Sequence, residues 1–153
     1  MNTDYIVSSL PPLRFNEPAP LSRDKFLSIV GENPLSEPER SKWRDLETQL
    51  RNAIAAARGG PEHKRVATGC SIYWRNRIDS CFRESDIAKR DEALDRVWWD
   101  AAEELTPPQA PLGKGAIATY SIRLDISLKR SLISKEVGNA AFDRLTSATK
   151  NVI

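Results

Sequence analysis

The sequence predicts an all-α protein: an antiparallel helical bundle or array of about five or six helices, with an extended proline-rich N-terminal arm. Three observations predict it. Trp43, Leu46, Leu50, Ala53, Ile54 and Ala57 recur at three- and four-residue steps, one clear helical stripe. The single run that alternates like a strand, residues 117–130, has no second alternating run of similar length to pair with. Proline and glycine clusters fall between the helical patterns and punctuate them.

The elements follow in order. Residues 1–20, "MNTDYIVSSLPPLRFNEPAP", lack helical period and carry Pro11, Pro12, Pro18 and Pro20. They predict an arm, with Tyr5, Ile6 and Val7 as a short extended segment, docked through its apolar residues on one domain spanning 1–153. In "LSRDKFLSIVG", Ser22 is the expected N-cap, Leu21 and Phe26 a staple, and Gly31 the stop. "NPLSEPER" is a turn. Ser36 then caps a long helix with Glu37, Pro38 and Glu39 in its first turn, ended by Gly59, Gly60 and Pro61.

Residues 66–105 read as helix again, either as one rod with a bend near Ser85-Asp86 or as two helices with Ser85 as a cap. Cys70, Tyr73, Trp74, Ile78 and Cys81 would share one core face, and Ile87, Leu94, Trp98, Ala101 and Leu105 the next. "TPPQAPLGKG" is a connection. In "SKEVGNAAFDRLTSATKNVI", Ser134 is the expected cap of a last helix, and Val137, Ala141, Phe142 and Leu145 form its stripe. Gly138 weakens that helix or marks a close contact.

The alternating run "IATYSIRLDISLKR" resolves once it is wound at about 100° per residue. Ala118, Ile122, Ile126 and Ile133 then make one stripe. Ile117, Tyr120, Leu124 and Leu128 make a second on the far side. Arg123, Ser127 and Arg130 form one polar seam; Ser121, Asp125 and Lys129 form the other, with Asp125 and Lys129 spaced for an ion pair. Two apolar stripes on one helix predict a helix sandwiched between two neighbours.

Composition narrows the function classes. Of 153 residues, 40% are apolar and 29% charged, which suits a globular domain and argues against disorder. No apolar run approaches the ~20 residues of a membrane span. The N-terminus lacks a basic segment followed by an apolar core, so no signal peptide is expected and the cytoplasm is the expected location. Cys70 and Cys81, on one helix, would sit about 16 Å apart, too far to bond to each other. A net charge of +2 does not by itself imply nucleic acid.

No catalytic, cofactor or metal site is expected. His63, the only histidine, lies in the loop-like "GGPEHKR" without an orienting partner. Its spacing to Cys70 and Cys81 matches no zinc pattern. "PLGKGA" lacks the spacer and the Ser/Thr of a phosphate-binding loop and reads as a helix start. Asp86, Asp91, Glu92, Asp95, Asp100, Glu103 and Glu104 mostly fall on a predicted solvated face with Lys89, Arg90 and Arg96, so no acid pair for proton transfer stands out.

"YWRNRIDSCFR" mixes aromatic and basic residues as nucleic-acid surfaces do. Helical winding, however, turns Tyr73 and Trp74 to the core and leaves Arg75 and Arg83 outside it, with Arg77 near the core stripe, paired with a buried acid or reaching out along its stem. Trp98 belongs mid-stripe in the core. Trp99 lies off the stripe: it is either an exposed interface anchor or covered by a neighbouring helix or the arm. The candidate interface is therefore Trp99, Arg75, Arg83, Arg123 and Arg130.

Two stretches carry a family resemblance. "DYIVSSLPPLRF", ahead of "PLSRDKFL", resembles the opening of an uncharacterised bacterial family with a Tyr-bearing, apolar Ser-Leu-Pro segment. "YSIRLDISLKRSLISKEVGNAAFDRL" resembles its closing helices, with a Tyr…Leu…Arg pattern and a later Gly…Phe. Together they span about a third of the chain. That family is encoded in operons for bacterial V/A-type ATP synthases, in the place of the central-stalk C subunit, called d in eukaryotic complexes. The resemblance implies an all-helical coupling or assembly component, peripheral at the inner face of the membrane. Its implied partners are the rotor shaft and membrane ring, and it brings no catalytic residue. The alternative reading is a nucleic-acid-binding helical module, resting on "HKR", "YWRNR" and "KR". A small helical enzyme is a third.

Overall fold

The structure, a computed structural model, describes residues 2–59 and 71–150, and of 135–150 the helical backbone alone. Six α-helices follow one another: α1 (Thr3–Ser9), α2 (Arg23–Val30), α3 (Glu37–Arg58), α4 (Ile72–Phe82), α5 (Ile87–Ala101) and α6 (Lys114–Lys150). A short 3₁₀ turn, Ala102–Leu105, extends α5. Among the described residues there is no strand, and no helix long and apolar enough to cross a membrane.

The first correction concerns the arm. Tyr5, Ile6 and Val7 are helical, not extended. The Asn2 side chain accepts the Asp4 N–H at 3.1 Å and caps α1, and the prolines that forbid a helix start only at Pro11. Ile6 and Leu10, one turn apart, are its buried residues. Only residues 11–22 run without helix, turning at Asn16, whose φ of 67° suits asparagine. The docking itself is as expected: this segment packs on α2 and α6.

Helix α2 has its Ser22 cap, which accepts the Lys25 N–H at 3.2 Å, and stops at Gly31, whose φ of 99° favours a residue without Cβ. In α3 the Ser36 hydroxyl turns to the Glu39 carboxylate instead of a backbone N–H. Leu46, Leu50, Ala53 and Ala56 form its buried stripe.

The rod from 66 to 105 is two helices. Asp86, not Ser85, caps the second, accepting the Lys89 N–H at 3.1 Å. The Arg90 guanidinium then locks the break by donating twice to the Glu84 carbonyl, at 2.9 and 3.1 Å. The first helix starts at Ile72 behind the cap Ser71. The expectations for Gly60, Pro61, His63, Val66 and Cys70 lie outside the described residues.

Helices α3, α4 and α5 bury one cluster around Leu50, Trp74, Ile78, Cys81, Leu94 and Val97. Helix α6 lies between this layer and the N-terminal helices, as its two stripes require. Ala118, Ile122 and Ile126 pack on Ala102, Leu105, Leu35 and Trp43. Ile117, Tyr120, Leu124 and Leu128 pack on Ile6, Leu10 and Phe26. Tyr120 stacks on Phe26 at 5.3 Å and donates its hydroxyl to the Pro11 carbonyl at 2.6 Å.

Three details of α6 differ from expectation. Ser134 is not a cap, because α6 runs unbroken to Lys150; the side chains of Val137, Gly138, Ala141, Phe142 and Leu145 lie outside the described residues. Ile133 leaves its stripe and is 47% exposed. Asp125 and Lys129 do not pair with each other. Asp125 meets Arg23 of α2 at 3.3 Å and Lys129 meets Asp95 of α5 at 3.0 Å, because each neighbouring helix brings an opposite charge to its own seam.

The entry of α6 depends on Gly115, where a Cβ would collide with the Leu105 carbonyl oxygen. Gly115→Ala is expected to destabilise the fold by about 1–3 kcal/mol. Leu124→Ala empties a fully buried site and should cost about 2–5 kcal/mol. Chemical denaturation of both variants checks these values. Burial pushes the Tyr120 phenol up to about 12. The unfolded chain therefore loses this proton first, near pH 10, and stability contributed below pH 10 is lost as pH rises toward 12. Tyr120→Phe should flatten that alkaline loss in unfolding curves taken between pH 9 and 12.

Candidate interaction surface

The sequence-chosen residues divide into two groups. Trp99 is only 5% exposed, so of its two readings the covered one holds. Phe15 from the N-terminal segment meets its ring edge-on at 5.6 Å. Arg123 lies over the same indole at 5.2 Å and donates from Nε to the Trp99 carbonyl at 3.0 Å. Its other arm reaches Glu103 at 3.2 Å. Burial pulls the Arg123 guanidinium down from its ordinary value, while Glu103 and Asp100 push it back up.

Arg130 is held in the same way. Its Nε donates to Asn16 Oδ1 at 2.9 Å, its Nη1 to Asp95 at 2.9 Å, and its guanidinium lies over Phe15 at 5.3 Å. Arg96 covers Phe15 too, at 5.1 Å. Trp99, Arg123 and Arg130 thus bind the N-terminal segment, α5 and α6 to one another. Arg75 is half-buried and Arg83, at the C-cap of α4, is exposed. Among the described residues neither guanidinium pairs with this cluster.

Two acids expected on a solvated face are structural. Asp95 is 7% exposed and takes both Lys129 and Arg130. Asp100 takes Arg77 at 2.9 Å and Arg96 at 3.3 Å. Of the two readings of Arg77, pairing with an acid holds, with Asp100 partly buried; desolvation lowers its pKa, but the Tyr73 hydroxyl and Asp100 together raise it above its ordinary value.

The aromatic-basic stretch is also largely consumed. Trp74 is buried and donates Nε1 to Glu104 at 2.9 Å. Tyr73, expected in the core, is exposed instead, because α4 meets α3 and α5 through Trp74, Ile78 and Cys81 only. Burial raises the Cys81 thiol, which keeps it protonated. Among the described residues no group of three or more His, Cys, Asp or Glu side chains converges as a metal site.

Part of the exposed surface is apolar where the sequence predicts core. Ile87, assigned to the core stripe of α5, is 72% exposed. With Ile54 of α3, Leu94 and Trp98 of α5, and Ile133 of α6, it lines a groove of about 660 Å³ whose walls also carry Arg58, Asp91, Asp95, Lys129 and Arg130. Trp98 is only half-buried, meeting Trp43 edge-on at 5.9 Å. Next to this groove, Ser131, Leu132, Ile133 and Ser134 are all exposed, Leu132 at 62%. Four consecutive residues cover a full helical turn. At that turn each face of α6 is therefore open to solvent in part. Its 37 residues span about 55 Å.

One signal could have revealed Ile87. It is the first helical residue after the Asp86 cap, a position at the end of a rod where burial needs a further element above it. Asp95→Asn should cost about 3 kcal/mol, because it leaves Lys129 and Arg130 without their acid, while Asp91→Asn nearby should be near neutral; thermal unfolding of the pair separates the two. No protein-family model, curated protein or solved structure matches the chain.

Proposed function

We propose that this chain is a non-catalytic docking component. Its packed body holds the base of α6, and the groove beside that base receives an amphipathic helix of a partner protein. One observation carries the reading: α6 has a complete exposed turn, Ser131–Ser134, beside a groove with an apolar floor of Ile54, Ile87, Leu94 and Trp98 and a charged rim. A helix-in-groove contact uses apolar anchors at helical spacing, and exposed apolar surface of this kind marks such contacts. The acids and guanidiniums that could have served chemistry are engaged in holding helices together, which supports docking over catalysis.

The partner is proposed from the resemblance of the two chain ends. It is a V/A-type ATP synthase, with this chain seated as a central-stalk C-subunit-like or assembly component between rotor shaft and membrane ring. Helix-mediated contact is the mechanism, and no cofactor enters it.

The test is affinity capture by the full chain from native membranes that carry a V/A-type ATP synthase. Wild type should retain rotor subunits, and an Ile87→Asp/Ile133→Asp variant with unchanged thermal stability should retain at least tenfold less. Failure of wild type to retain any ATP synthase subunit removes the partner. Equal retention by the double variant removes the surface.

A further inference from the structure

The docking groove does not end at Trp98. A second cavity, of about 430 Å³, shares Trp98, Asp95 and Lys129 with it and continues toward the start of α3. Trp43, Glu47, Arg51, Ile54 and Arg58 line the two in turn, at steps of three and four residues, so one face of α3 forms a wall along the whole length. From Trp43 to Arg58 that wall runs about 22 Å, the length of a helix of about 15 residues. The floor is apolar throughout, with Ile122 and Ile126 at one end and Leu94 and Ile87 at the other.

Charge is spread unevenly along this groove. At the Trp43 end the acids Glu47 and Asp125 already have bases from the chain itself: Glu47 meets Arg51 at 3.3 Å, and Asp125 meets Arg23 at 3.3 Å. At the Arg58 end the bases are in surplus. Asp95 divides its one negative charge between Lys129 at 3.0 Å and Arg130 at 2.9 Å, so this trio keeps one positive charge. Arg58 and Asp91, both exposed, add one charge of each sign, and among the described residues neither has an ion pair. Two bases therefore face solvent across the groove, Arg58 on the α3 wall and Lys129, whose side chain is 60% exposed, on the α6 wall. The Lys129 ammonium gives one hydrogen bond to Asp95 and has two donors over.

From the surplus of bases and the length of the groove we infer that its occupant is an acidic amphipathic helix of about four turns, with carboxylates flanking its apolar stripe on both sides at the Arg58 end. The inference rests on the docking reading of the same groove and adds the partner's chemistry. A carboxylate on one side of the stripe meets Arg58 and one on the other side meets Lys129, whereas a basic helix sets like charges against both. Asp91 is the acid on that rim that opposes such a partner. A second copy of this chain does not supply the helix through the end of α6, because residues 135–150 carry three bases against two acids.

The experiment titrates the full chain into two labelled synthetic peptides of about 15 residues, identical in their leucine stripe, one with glutamates on its polar face and the other with lysines. Fluorescence anisotropy should show the glutamate peptide binding about tenfold tighter, with the difference shrinking as salt rises. Arg58→Gln and Lys129→Gln should each weaken the glutamate peptide about threefold, Asp91→Asn should strengthen it, and Arg75→Gln on α4 should change nothing. Ile87→Asp/Ile133→Asp should lose both peptides. Equal binding of the two peptides, or tighter binding of the lysine one, overturns the acidic partner, and the groove itself still stands if Ile87→Asp/Ile133→Asp loses both. Binding of neither peptide also overturns the inference, while capture from native membranes judges the docking reading separately. A glutamate preference undiminished in Arg58→Gln and Lys129→Gln overturns it as well, since the attraction then lies elsewhere on the chain. A dimer of the chain that Ile87→Asp disperses puts a second copy in the groove and overturns it too.

Discussion

Helix α6 has apolar residues on two opposite sides and cannot rest against one neighbour. A helix with one stripe docks on a layer; a helix with two must be enclosed. The chain meets this by wrapping. The N-terminal pair α1 and α2 covers Ile117, Leu124 and Leu128, while the turn after α5 covers Ala118 and Ile122. Neither cover is built from sequence neighbours alone. Leu124 meets residues about a hundred positions earlier, so the two ends of the fold form together or not at all. Gly115 makes the enclosure sterically possible at its tightest point, where the backbone of α6 passes the Leu105 carbonyl.

Between the two stripes run two seams of polar residues, and every cover must satisfy them. Thr119 donates to the Ala102 carbonyl and shares a hydrogen bond with Thr106. Ser121 accepts from Arg23, and Arg123 reaches the Trp99 carbonyl. Buried polar groups are tolerated when paired, so these seams act as register marks: α6 can neither rotate nor slide without orphaning several of them. The residues that look functional by composition, tryptophans flanked by arginines, are largely these marks. Stacked guanidiniums and indoles fix Phe15 and Trp99 while keeping the charged heads partly wet.

The same logic separates the body of the fold from its edges. Inside, acids and bases are matched across helices: Asp95 with Lys129 and Arg130, and Asp100 with Arg77. At the edges the matching ends. Helix α6 is exposed around its turn Ser131–Ser134, beside a groove with the exposed Ile87 and Ile133.

Much of this was legible in the residues. Helical periods, the Ser22 cap, the Gly31 stop and the two stripes of residues 117–128 are local properties, set by side-chain spacing and backbone preference, and they held. The chain alone also determined that α6 must be enclosed. It did not determine by what. Whether Trp99 is bare or covered depends on where Phe15 arrives from 84 positions away. Whether Asp125 pairs with Lys129 depends on Arg23 and Asp95 offering closer partners. Tyr73 and Ile87 carry the same apolar signal as Trp74 and Leu94, yet they lie outside because the neighbouring helices do not reach them. Periodicity reports which face of a rod is apolar. Only the tertiary packing decides how far along that face the cover extends, since burial is a property of two surfaces and the sequence of a helix describes one.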